Sequence, residues 1–175
     1  YRQKINDMTD DQKHVFIESE LYHELRCLLG SATVWQIFKS TGAGYDVVVA
    51  EDSAFMHART LFEFFTSKGK NNNILRVVEF GPRKYKSSIY AKWKIPLNRH
   101  VLHLNEKRLK PNNLKNGEHL SEQVEVFAKE ILRLWEQFEN DQVASLFQST
   151  LRKVRARATE DAKNDSEGRI EPLFT

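Results

Sequence analysis

Apolar residues recur at steps of three and four through most of the chain, which is the period of a helix buried along one side. Residues 9–40 read as a long helix, with Leu21, Leu25, Leu28, Ala32 and Trp35 on one stripe. Thr9 or Asp10 can cap its start, and acids fill its first turn. Gly42 and Gly44 end it. Residues 46–67 repeat the pattern through Val48, Phe55, Ala58, Phe62 and Phe65, widened by Leu61 and Phe64, so this helix is expected at the centre. Lys68-Gly69-Lys70 and three Asn break the chain. Residues 73–80 are a short apolar piece closed by Gly81-Pro82.

Ile89, Tyr90 and Trp93 predict a helix to about Lys94, and Pro96 either kinks it or opens a new one at its first turn. Beyond Pro96, Leu97, Val101 and Leu104 share a narrow arc. Pro111 to Gly117 is a loop. From Glu118 to Glu167 there is neither Gly nor Pro. Leu120, Val124, Phe127, Ile131, Trp135 and Phe138 form one stripe, and Val143, Phe147, Leu151, Val154 and Ala158 continue it. Asn140-Asp141 is the one break, so this region is two helices or one. The expected fold is all-α: an antiparallel bundle of about five or six helices in a single domain over residues 1–163, with a polar, fraying tail at 164–175.

Composition narrows the class. With 40% apolar and 29% charged residues, seven Gly and four Pro, 175 residues fit one globular domain with a real core. No apolar run reaches membrane-spanning length. The single Cys27 is expected as an inert buried thiol, and the absence of a disulfide framework suggests a reducing, cytoplasmic compartment. The polar start, Tyr1-Arg2-Gln3-Lys4, reads as a trimmed beginning without a signal-peptide pattern. Phosphate-loop glycines, nucleophile elbows, paired-cysteine zinc spacings and dinucleotide fingerprints are missing, so no cofactor is expected.

Charge is distributed unevenly. Residues 83–115 hold ten Lys or Arg and one acid, Glu106, for a local net charge of +9 in a chain of net +3. A polyanion, RNA first, is the natural partner of such a segment. Within it, Arg99, His103 and Lys107 fall on one side of a helix, opposite Leu97, Val101 and Leu104. Two cations beside an imidazole favour its neutral form, which can accept a proton, while an Arg can stabilise charge on phosphorus. The alternative is a solvated helix face. Arg108 shares the apolar arc, so it either snorkels or pairs with a carboxylate such as Glu63 or Glu51. Arg59 and Glu63 can pair across one turn, and His57 reads as a core-edge histidine. His57, His100 and His103 make a poor metal set, because only Glu106 is a nearby carboxylate and the surroundings are positive. The run Arg152-Lys153-x-Arg155-x-Arg157 reads as a solvated helix end, and Trp35, Trp93 and Trp135 as core.

The stretch Trp93-Lys94-Ile95-Pro96-Leu97-Asn98-Arg99-His100-Val101-Leu102-His103-Leu104-Asn105-Glu106-Lys107-Arg108 resembles the signature helix of the HEPN superfamily, and His57 to Phe65 resembles the acid-bearing helix before it. The resemblance covers roughly residues 46–140. It implies a helical bundle that commonly dimerises and, in many members, metal-independent cleavage of RNA in toxin–antitoxin or antiviral systems. The family motif is Arg, four to six residues, then His. Here three residues separate Arg99 from His103, and Asn98 stands one position earlier. On this resemblance His103 would be the general acid or base, Arg99 the transition-state stabiliser and Asn98 a positioning group. Lys92, Lys94, His100, Lys107 and Arg108 would hold the RNA, and a homodimer and an antitoxin or other protein partner would be expected. The competing expectation is a non-catalytic helical module that docks a protein or dimerises through the basic segment.

Overall fold

The computed structural model describes residues 8–42, 44–68, 75–102 and 118–167, with the side chains of 101, 102 and 167 outside the description. The fold is an all-α bundle, and no β-strand occurs among the described residues. Helix α1 (Asp10–Phe16) runs through a π-helical turn (Ile17–Leu21) into α2 (Tyr22–Thr41). Then come α3 (Gly44–Thr66), a 3-10 turn (Val77–Phe80), α4 (Ser88–Leu102), a second 3-10 turn (Leu120–Gln123), α5 (Val124–Asn140), a third (Gln142–Phe147) and α6 (Gln148–Glu167). Because α1 and α2 are continuous, the described residues build five helical rods. No described helix is long and apolar enough to cross a membrane.

The termini follow local chemistry. Thr9 caps α1: its hydroxyl accepts from the Gln12 amide at 3.2 Å, and the Gln12 side chain accepts from the Thr9 amide at 2.9 Å. Gly42 ends α2 at φ 74°, a left-handed conformation that glycine adopts without strain. Asp141 separates α5 from the turn leading to α6; its carboxylate accepts from the Val143 amide at 3.0 Å and from the Tyr85 hydroxyl at 3.1 Å. The region after Glu118 is therefore two helices, joined at the Asn140-Asp141 break.

Helix α3 is central, touching α2, α4 and α5, while α2 also packs on α6. Aromatic rings fill the space around α3. Phe62 stacks on Tyr90 of α4 at 4.8 Å and meets Phe127 of α5 edge-on at 5.7 Å. Phe65 meets Trp135 and Phe138, each at 6.2 Å. Trp35, Trp93 and Trp135 are all buried.

Three expectations change, and one left open is decided: Pro96 opens no new helix but lies inside continuous α4. Its missing N–H leaves one turn unbonded, but Trp93 and Leu97 on either side are buried and hold the helix across it. Val143 is 65% exposed, because the 3-10 turn rotates it off the stripe that Phe147 and Leu151 continue. Helix α6 persists beyond Lys163 to Glu167, with Ser166 buried, because Asp165 is clasped by Arg26 of α2 at 2.8 and 2.9 Å. Cys27 is half-buried, not enclosed: its sulfur is 3.7 Å from Nε2 of His23, beside a 460 Å³ cavity between α2, α3 and α6.

Candidate nucleic-acid interface

Ser87 caps the start of α4: its buried side chain accepts from the Tyr90 amide at 3.0 Å. Tyr90, Trp93 and Leu97 then follow at helical steps and are buried against the core. This fixes which residues face outward: Lys92, Lys94, Ile95 and Arg99 are exposed.

The polar trio in the middle of the motif divides. Asn98 turns toward α3, where its Oδ1 accepts from Nε of Arg59 at 2.8 Å. Arg59 also donates to Oε1 of Glu63 at 3.1 Å, so one guanidinium joins the two helices. His100 turns toward α3 on the other flank of Leu97. Its Nε2 lies 2.5 Å from Oδ1 of Asp52, its ring meets Phe55 edge-on at 5.0 Å, and its side chain is only 15% exposed. Arg99, on the opposite side of the helix from Leu97, projects outward and is exposed. Two neighbours of Arg99 in sequence thus clamp the helix from behind while Arg99 faces solvent.

The structure brings Lys92 and Arg99 onto one exposed face of α4, while Lys94, also exposed, lies on the opposite flank against the Tyr90 ring; Lys92 also forms an ion pair with Glu118. Asn98 and His100 are engaged inward with α3. His103, Lys107 and Arg108 lie outside the described residues. Glu63, one expected partner of Arg108, is paired with Arg59. For Glu51, the other, burial and then the Asp52 charge push the carboxyl above its ordinary range.

Neighbouring groups extend this polar belt. His57 Nδ1 lies 2.9 Å from Oε2 of Glu24, so the core-edge histidine ties α3 to α2. Tyr90 is buried and its hydroxyl has no hydrogen-bond partner among the described residues; burial, then the Glu63 charge, push it up to about 12. The basic run of α6 is partly consumed internally. Arg155 pairs with Glu136 at 2.9 Å and Glu139 at 2.8 Å, and Arg157 lies 4.4 Å from the ring centre of Tyr22. Sequence reading found the Arg59–Glu63 pair from its spacing. It missed Asp52 and Glu24, whose partners come from distant segments with no local signal.

No family model, curated protein or solved structure matches this chain.

Proposed function

We propose that this protein is a HEPN-like RNA-associating protein that receives the RNA backbone on the outer face of α4 and the segment before it. One observation carries the reading. From Gly81 to Leu102 the chain exposes six cations (Arg83, Lys84, Lys86, Lys92, Lys94 and Arg99) and contains no acid. Phosphate contacts dominate nucleic-acid affinity, and a rigid helix presenting cations without intervening acids suits them. The clamps at Asn98 and His100 support the rigidity.

In the cleaving form of this reading the reaction is metal-independent. His103 removes the proton from a ribose 2′-hydroxyl, the resulting oxygen attacks the adjacent phosphorus, and the 5′-oxygen leaves taking that proton from the His103 imidazolium, giving a 2′,3′-cyclic phosphate and a 5′-hydroxyl. Arg99 stabilises the charge on phosphorus. Asn98, held by Arg59, is a positioning residue. Two motif helices meeting in a homodimer would form the cleft, and a protein antitoxin would cover it.

A second reading has its own observation. Ile95 is 63% exposed, one turn before Arg99 on the same face. An apolar anchor rimmed by cations suits a non-catalytic protein-docking or dimerisation module. The deciding experiment measures RNA binding and RNA turnover for the unaltered chain and for Arg99→Ala and His103→Ala. Salt-sensitive binding with turnover lost in His103→Ala supports the nuclease. The same binding without turnover leaves RNA association standing and removes cleavage. Absence of RNA binding at low salt overturns the proposal in favour of protein docking.

A further inference from the structure

Helix α3 is apolar on two opposite sides, and the described residues cover only one of them. Ala54, Ala58 and Phe65 face the core. Across the helix, Tyr45, Val48, Val49 and Met56 fall within about 100° of arc and are between 49% and 80% exposed. Val48 is spaced with Phe55 and Phe62, yet it lies outside the core those two residues share. Contiguous apolar surface rimmed by polar residues marks an interaction site.

A cleft runs beside this strip. Asp46 and Val49 also line the 460 Å³ cavity between α2, α3 and the end of α6. On α2 the cavity wall extends from His23 to Phe38, about 22 Å of helix axis, so the cavity is long rather than compact. Its middle is built of small residues, with Gly30 and Ser31 of α2 against Ala50 and Ser53 of α3. Ser31 donates to Ser53 at 2.7 Å, so these hydroxyls answer each other and the middle is open to an apolar group.

Charge names the occupant. Residues 40–58 contain three acids, Asp46, Glu51 and Asp52, and no Lys or Arg. Asp46 is exposed on the cavity edge, and Asp52 lies within the strip, its side chain 42% exposed beside His100. The cations bordering this stretch are turned elsewhere: Lys39 lies over the Trp35 ring at 4.3 Å, and Arg59 bonds Glu63 and Asn98.

We infer that this face docks a basic amphipathic helix of a partner protein, one large apolar side chain entering the cleft and its cations meeting Asp46 and Asp52. An apolar seam repeating at three, four and seven residues, beside a groove between two helices, is the form that receives a third helix. The acids on it favour cations over anions and oppose a second copy presented through the same face. The surface shares no residue with the six cations proposed to receive RNA, so the assignment stands apart from RNA association.

The test uses the full chain and two synthetic probes, an amphipathic helix of leucine and lysine and the same helix with glutamate in place of lysine. Binding is followed by calorimetry and by the methyl signals of Met8 and Met56, the two methionines of the chain. The lysine helix is expected to bind saturably, to shift Met56 while leaving Met8 in place, and to bind at least tenfold more tightly than the glutamate helix. Val49→Lys, at an exposed position, keeps the fold and weakens the lysine helix at least tenfold. Asp46→Lys narrows the preference between the two probes, and it reports on charge even if Val49→Lys disturbs the cleft. No saturable binding, equal binding of the glutamate helix, an unmoved Met56 signal, or unchanged affinity in Val49→Lys would overturn the assignment. So would self-association of the unaltered chain that Val49→Lys abolishes, which would give the face to a second copy.

Discussion

Arg59 on α3 donates to the side-chain oxygen of Asn98 on α4 at 2.8 Å, and this bond decides what Asn98 can do. Its oxygen is already occupied, so the residue anchors the motif helix. Asn98→Ala leaves a half-buried guanidinium short of one acceptor and should cost about 1–2 kcal/mol in urea unfolding. Asn98→Asp keeps an acceptor and adds an opposite charge, so it should hold near the original stability. Equal stability for all three would show that the bond contributes nothing to holding α4.

Gly81 sits at φ 106°, where a side chain is strained, and a Cβ there would lie 2.8 Å from Cγ1 of Val143 and 3.2 Å from its carbonyl oxygen. Gly81→Ala should therefore destabilise by about 1–3 kcal/mol, combining backbone strain with the clash. Because Val143 is largely exposed, Gly81→Ala with Val143→Ala should recover the part due to Cγ1 and none due to φ. Thermal melts of both single variants and the double variant separate the two contributions.

Glu139 is 2% exposed, and burial pushes its carboxyl above the ordinary range despite the Arg155 guanidinium at 2.8 Å. A raised folded-state pKa means the native protein binds the proton more tightly than the unfolded chain does. Its contribution is then fully present below the unfolded carboxyl value and is lost as pH rises through the folded one. Glu139→Gln removes that loss. Relative to the unaltered protein it should be least favourable near pH 4 and gain ground toward pH 7. Urea denaturation at both pH values measures the difference, and a shift in the opposite direction contradicts the burial argument.

The helical pattern was legible because burial repeats every three to four residues. Phe55, Phe62, Phe65, Phe127, Trp135 and Leu151 were all marked by that spacing and are all fully buried. Asp141 was readable too, as a polar residue in a long run without Gly or Pro. Pro96 left two readings open locally, and the burial of Trp93 and Leu97, a tertiary effect, selects the one inside a continuous helix. The inward turn of His100 was equally hidden. Its partner Asp52 lies 48 positions away, and nothing at either position signals the other.

Arg99 offers the sharpest test of the basic face, because it is exposed while its neighbours Asn98 and His100 are engaged. Substituting Ala there should leave the unfolding midpoint unchanged, since no packed contact is lost. If the residue contacts a phosphate, the affinity for single-stranded RNA should fall and the salt dependence should flatten. Removing one phosphate contact lowers the slope of log affinity against log salt by about 0.7. Lys94→Ala should give a smaller change, because Lys94 lies on the opposite flank of α4, and so should Lys92→Ala, because Lys92 is already paired with Glu118. Filter binding across a salt series measures all three slopes. An unchanged slope for Arg99→Ala would place the RNA contact elsewhere on the molecule.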